Sequence, residues 1–370
     1  MSTRSLKYFF FFFLFFAINS ISEAFQCEGL LSVVSEQHRV PRTVRLMTYN
    51  VQNLYVQEGR YIWGSEEEVE VDPKIKEERH TREIARIITE TSPDFIVLQE
   101  VETWNSLNRF INNYLGGEYA PFMAGDYNKR SLGIALLIKS DLKFHVRMRS
   151  VSGLSWTAAS GLIEPVFSRE LGVFEVFDPE SGEVVLGVFG AHFKSHRDRK
   201  NDPKSFLKRS QEAQVTAQIV GQFEDAYPNV PYVIAGDFNA NLDDPELSPL
   251  FENLDISNPI ADPKLFRDKA GLGQNTHSYH QDDLGRTVYS QIDMILTSRQ
   301  LENFIIGLDV YRYKDRSTNA FKPLPNSNEE RNENPSDHFP IFVDFAPEAI
   351  YSASEIEAYR NKAAQKSTKN

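Results

Sequence analysis

The chain has 370 residues, 41% hydrophobic and 25% charged, the make-up of an ordinary soluble globular protein. Its net charge of −12 argues against a passive coat on nucleic acid, which works by Lys and Arg displacing counterions. The only cysteine, Cys27, excludes an intramolecular disulfide, so any metal site must use carboxylates, amides and imidazoles, a set suited to Mg²⁺, Mn²⁺ or Ca²⁺.

At the N-terminus, Arg4 and Lys7 precede an apolar run from Phe9 to Ile18, and Ser22-Glu23-Ala24 follows. This order reads as a secretory signal, residues 1–24, cleaved after Ala24. The apolar run is about ten residues, too short for the ~20 that span a bilayer, so no stable membrane insertion of the mature chain is expected. A lipoprotein anchored at Cys27 is disfavoured, because Ala24-Phe25-Gln26 lacks a small residue just before the cysteine. The expected location is secreted or periplasmic, and the expected state a monomer.

Val44 to Val51 reads as a strand ending near Asn50. Ile75 to Glu90 has helical spacing, with Ile84, Ile87 and Ile88 on one face, and Ser92-Pro93 stops it. Asp94 to Glu100 is a short, nearly continuous apolar run, the pattern of a strand buried on both faces. Leu132–Ile138 and Leu142–Met148 look like a hairpin across Lys139-Ser140-Asp141. Val173–Phe177 and Val184–Ala191 flank the turn Pro179-Glu180-Ser181-Gly182. A long helix is expected from Ser205 to Ala226, and strands at Tyr232–Ala235, Gln291–Leu296 and Phe339–Phe345. Strands outnumber helices, which suggests a two-sheet sandwich with helices outside. Residues 347–370 read as a polar tail with a short helix.

The ends of these strands carry chemistry. Asn50, Glu100, His192, Asp237 with Asn239, Asp293, and Asp337 with His338 each border or interrupt an apolar run. Each has an ordinary explanation alone: a turn amide, a solvated charge, a core histidine. Asp293 between Ile292 and Met294 is harder to dismiss, since a carboxylate in an apolar strand costs several kcal/mol unless paired. Independent accidents would not all deliver acid, amide and imidazole groups to strand ends.

Taken together, the stretches Thr48-Tyr49-Asn50-Val51-Gln52-Asn53-Leu54, Asp94 to Val101, Gly190-Ala191-His192-Phe193-Lys194-Ser195, Gly236-Asp237-Phe238-Asn239, Ile292-Asp293-Met294-Ile295 and Ser336-Asp337-His338-Phe339-Pro340 resemble the endonuclease/exonuclease/phosphatase superfamily. They run in family order across residues 44–346, the expected catalytic domain. The resemblance implies a four-layer α/β sandwich, two packed mixed β-sheets flanked by helices. It implies a divalent-metal-dependent phosphodiester hydrolase using Mg²⁺, or Mn²⁺ or Ca²⁺. Glu100 would bind the cation with Asn50 and Asp337 beside it. His338 would sit against the phosphate, oriented by Asp293. Asp237 would orient or deprotonate the attacking water, Asn239 would bond a phosphate oxygen, and His192 would assist the phosphate or leaving group.

For substrate, the segment Lys194 to Arg209 holds Lys194, Arg197, Arg199, Lys200, Lys204, Lys208 and Arg209 against only Asp198 and Asp202, a local reversal of sign in an acidic chain. It reads as a strip contacting a phosphate backbone. Arg130 is a second phosphate-binding candidate. The expected partner is nucleic acid, DNA first and RNA second. The rival is a secreted sphingomyelinase-type enzyme, or another phosphatase of the superfamily. A lipid enzyme needs an exposed apolar loop, which Val151 to Phe167, with Leu154, Trp156 and Leu162, could supply. A non-catalytic binding protein should have lost some of these positions, and none is missing.

Overall fold

A computed structural model describes residues 26–32, 39–54, 61–63, 70–72, 76–124, 132–281 and 284–367. Among these, two large sheets form. The six-stranded sheet runs Ile305–Val310, Ile341–Phe345, Val44–Leu54, Phe95–Val101, Gly133–Lys139, Tyr119–Ala124. The seven-stranded sheet runs Gln26–Ser32, His145–Ser150, Gly172–Phe177, Val184–His192, Tyr232–Asp237, Asp293–Ser298, Ile256–Ser257. Each mixes one parallel pair with antiparallel neighbours: Val44–Leu54 beside Phe95–Val101, and Val184–His192 beside Tyr232–Asp237. The expected signal segment and Arg130 lie outside the described residues.

Three strands of the parallel pairs, Phe95–Val101, Val184–His192 and Tyr232–Asp237, are buried nearly end to end, as strands covered on both faces must be. Val97, Leu136 and Val343 of one sheet share a core with Phe174, Val188, Val233 and Ile295 of the other. The helix Glu78–Thr91 adds Ile84, Ile87 and Ile88 to that cluster. A second core lies beneath the helix Phe206–Ala226, where Ala213, Val220 and Phe223 meet Phe189, Tyr232 and Ile234. Helix, sheet, sheet and helix make the four-layer sandwich.

Helix ends follow local chemistry. Ser92 ends Glu78–Thr91 in a left-handed conformation, φ 47°, its N–H on Ile88 O. The helix Trp104–Tyr114, which the sequence reading passed over, starts at Thr103, whose side chain accepts the N–H of Ser106. The C-terminal segment forms a helix, Ala353–Ser367, that places Ile356 in the core and pairs Glu355 with Lys143. No described helix is long and apolar enough to cross a membrane.

One expectation fails. Gly133–Lys139 and His145–Ser150 are not a hairpin: the first pairs with Phe95–Val101 and Tyr119–Ala124, the second with Gly172–Phe177 and Gln26–Ser32 in the opposite sheet. Leu142 and Phe144 are buried in the connection, so the chain uses its apolar residues to cross the sandwich instead of folding back.

Gly236 lets two neighbouring strands approach closely at the site. Its φ is 154°, and an added Cβ would lie 1.9 Å from Ala191 O. Gly236→Ala is expected to cost roughly 3 kcal/mol or more, because neither the backbone conformation nor the space admits a side chain. Denaturant unfolding checks this, and an unchanged midpoint would contradict it.

Candidate active site

The register of the seven-stranded sheet aligns three of the expected residues. His192 pairs with Asp237 on one side, and Asp237 pairs with Asp293 on the other. Paired residues on adjacent strands point to the same face, so the three side chains stand in one row. Asn239 follows the same sheet's strand Tyr232–Asp237, and the opposite sheet supplies Asn50 and Glu100 from neighbouring strands, and Asp337 and His338 from the turn before Ile341–Phe345. The site therefore sits where strand ends of both sheets meet.

His338 bridges the row. Its Nδ1 lies 2.8 Å from Asp293 Oδ2 and 3.1 Å from Oδ1, and its Nε2 lies 3.9 Å from Asp237 Oδ2. Burial disfavours the imidazolium, but Asp293 and Asp237 outweigh that and hold its pKa well above the usual histidine range. Burial pushes the Asp237 carboxyl up to about 7; His338 pulls it down and Asp293 pushes it further up. His192 behaves oppositely. Burial, then the charges of Arg169, His338 and Lys194, drive its pKa well below the ordinary value, so it is neutral. Its Nε2 is 3.6 Å from Asp237 Oδ2 and 3.9 Å from Glu100 Oε1.

The profile of the endonuclease/exonuclease/phosphatase family matches residues 47–338. The chain belongs to this family. It is accordingly a metal-dependent phosphoester hydrolase. No curated protein matches the sequence. Solved structures of the same fold include truncated Caenorhabditis elegans TDP2, 17% identical with a TM-score of 0.51, covering 82% of this chain and 98% of that one. A family protein from Bacteroides thetaiotaomicron is 15% identical with a TM-score of 0.52, covering 84% and 98%. One from Bacteroides vulgatus is 14% identical with a TM-score of 0.50, covering 82% and 98%. At such identities the likeness concerns the fold alone.

The family's need for a divalent cation finds suitable donors here. Glu100 and Asp337 have carboxylates 18% and 16% exposed, open enough for a hard cation that prefers oxygen. Asn50 behaves differently from the expected ligand. Its Oδ1 accepts the N–H of Gln52, while its Nδ2 donates to Asp237 Oδ2 at 3.0 Å and to Glu100 Oε1 at 3.3 Å. In this arrangement the Asn50 amide links two carboxylates, and its oxygen, accepting one N–H, keeps a second lone pair. Two other groups of potential ligands have atoms within 4.8 Å of one another: Asp237, Asp293 and His338, and His277, Asp337 and His338. The first is fully buried and its histidine is engaged by Asp293, which suits proton handling better than cation binding.

Asn239, in a left-handed conformation with φ 50°, donates from Nδ2 to Phe193 O at 3.0 Å and to Asp237 Oδ2 at 3.1 Å. Its N–H also bonds Asp237 Oδ1. It holds Asp237 in place before any substrate arrives. Several supporting residues were not site candidates, and of them only Tyr49 lies in a motif stretch. Thr276 Oγ1 accepts the N–H groups of Ile292 and Asp293. Tyr49 and Tyr313 form a buried hydroxyl pair ending on His338 O. His277 packs its ring 4.6 Å from that of His338. Arg169 donates to Phe193 O at 3.4 Å beside His192.

The basic strip is smaller than it looked. Arg209 is buried, bonded to Glu246 and to the carbonyls of Lys194 and Lys204. Lys208 is buried against Pro165 O and the Trp156 ring, and Arg199 pairs with Glu164. These three cations are taken up by acceptors of the protein itself. Arg197, Lys200 and Lys204 remain exposed, with Lys194 half-buried next to the site.

Thr276→Val keeps the shape but strands two buried N–H groups beside Asp293. A loss of about 1–3 kcal/mol is expected for each stranded donor. Denaturant unfolding measures it; a stability equal to wild type would show that the hydroxyl is dispensable.

Proposed function

We propose that the protein is an exported nuclease that hydrolyses DNA, and RNA as a second substrate, by metal-assisted attack of water. The observation that carries this reading is His338 held between Asp293 and Asp237 at the meeting point of both sheets. Attack on a phosphodiester brings an anionic nucleophile to an anionic centre, and this cluster supplies both a fixed cation and a proton acceptor. Glu100 and Asp337 would hold the divalent ion, Mg²⁺ or else Mn²⁺ or Ca²⁺, which would supply charge neutralisation at the leaving oxygen. Asp237 takes the proton of water at Oδ2. The imidazolium of His338 faces the phosphate through Nε2, with Asp293 orienting the ring through Nδ1. Neutral His192 donates to the phosphate or the leaving group. Asn50 and Asn239 keep the carboxylates aimed, and Asn239 can turn its amide to a phosphate oxygen.

Two surfaces favour a polynucleotide. Arg197, Lys200 and Lys204 stand exposed beyond Lys194, close to His192 in sequence. On the hairpin His277–Gln281 and Arg286–Ser290, the face that bears His277 continues with the exposed pair Tyr279 and Val288, then Gln281 and Arg286. An aromatic step followed by a cation suits a base and its neighbouring phosphate. Export rests on the signal-like segment 1–24, and N-terminal sequencing of the mature protein tests it.

A phospholipid reading has one specific support. Leu162 and Ile163, at the Ser155–Thr157 and Ile163–Pro165 hairpin, are 64% and 78% exposed, as a surface-seeking loop would be. A panel of double-stranded DNA, RNA, sphingomyelin and inositol phosphates with Mg²⁺ or Mn²⁺ separates the two. Cleavage of DNA that stops with a chelator is expected; hydrolysis of sphingomyelin with none of DNA or RNA would sink the nuclease reading. His338→Ala is expected to lower turnover by about 10²–10⁴-fold with the fold intact.

The pH dependence has a definite sign. Asp237 must be ionised to accept a proton, and its carboxyl is pushed up to about 7. Activity should fall as pH drops through that value, and a bound cation can only move the limb lower. An acidic limb of kcat/KM at or below about pH 7 is expected from rate profiles, and a limb well above it would exclude Asp237 as the base.

A further inference from the structure

The metal side of the site depends on a strained turn. Gln52 and Asn53 are left-handed, with φ 48° and 58°, and Glu100 opposite them has φ 62°. Non-glycine residues hold such conformations only where the surroundings over-determine them. The turn aims two amides: Gln52 N–H reaches Asn50 Oδ1 at 3.0 Å, and Asn53 N–H reaches Glu100 Oε2 at 3.0 Å. The carbonyl of Gln52 accepts Lys76 Nζ at 2.8 Å.

We propose that Lys76 is a positioning residue for the metal site, latching the left-handed turn whose amides orient Asn50 and Glu100. An ammonium-to-carbonyl bond is charge-assisted and stronger than a neutral one. Lys76 lies just before the helix Glu78–Thr91, which is anchored in the core through Ile84, Ile87 and Ile88, so the latch ties the turn to a rigid element. Burial pulls the Lys76 ammonium down to about 8, with Asp337 and Glu100 opposing, so it stays largely charged at neutral pH. The inference rests on the reading that Glu100 binds the cation.

The competing account is that Lys76 is merely a positive charge near the carboxylates. The two predict opposite signs. Mn²⁺ titrations of the full chain by calorimetry and electron paramagnetic resonance, on wild type, Lys76→Met and Lys76→Arg, separate them. Lys76→Met should bind Mn²⁺ about 10–100-fold more weakly, the range for residues that orient metal ligands, and Lys76→Arg should recover part of the loss. Unchanged or tighter binding by Lys76→Met overturns the proposal, since removing a repelling charge alone would tighten it. Weakening in both variants together with loss of native circular dichroism also overturns it. A wild-type chain that binds no Mn²⁺ would instead remove the metal-site reading itself.

Discussion

Two buried carboxylates face each other across neighbouring strands, and one imidazole makes that arrangement tolerable. Asp237 and Asp293 are register partners, each nearly inaccessible to water. Like charges so placed would repel in a low dielectric. His338 enters from the other sheet and takes a positive charge, bonding Asp293 directly and standing within reach of Asp237. The sandwich must therefore keep its two sheets in one relation for the charges to balance. Tyr313 and Ser336 serve that need by holding the His338 backbone, Tyr313 through His338 O and Ser336 through His338 N–H and Asn50 O.

Four of the nine described non-glycine residues with positive φ gather at the same end. Gln52, Asn53, Glu100 and Asn239 all have positive φ, and Gly236 admits no side chain. Irregular register between Asn50 and Leu54, and between Gln99 and Val101, turns Glu100 out of the strand alternation and toward the site. Register also shifts away from the site, between Glu28 and Leu30, Val176 and Phe177, and Ile305 and Gly307. A rigid sandwich thus carries the cost of a few unfavourable residues where chemistry needs particular side-chain directions.

Much of the fold was legible from periodicity. The strands at Asp94–Glu100 and Tyr232–Ala235 and the helix beginning near Phe206 lie within a residue or two of their expected bounds. These segments have one-sided or continuous apolar patterns that permit a single answer. Leu132–Met148 misled because two adjacent apolar runs with a polar turn fit a hairpin and a sheet-to-sheet crossing equally well. The basic strip misled for a related reason: composition counts charges but does not say which of them the fold consumes. Arg209 and Lys208 are spent on carbonyls that would otherwise be buried without donors.

By itself, the sequence determined which groups reach strand ends, because apolar runs that must be buried force their polar residues to the boundaries. That was enough to read Asn50, Glu100, His192, Asp237, Asn239, Asp293, Asp337 and His338 as one set. Tertiary structure alone decided how they are used: that Asn50 presents its N–H groups, that His192 is neutral while His338 is charged, and that Thr276, His277 and Lys76 belong with them. Those outcomes depend on distances between segments far apart in the chain and on burial from both sheets. No local pattern encodes either quantity.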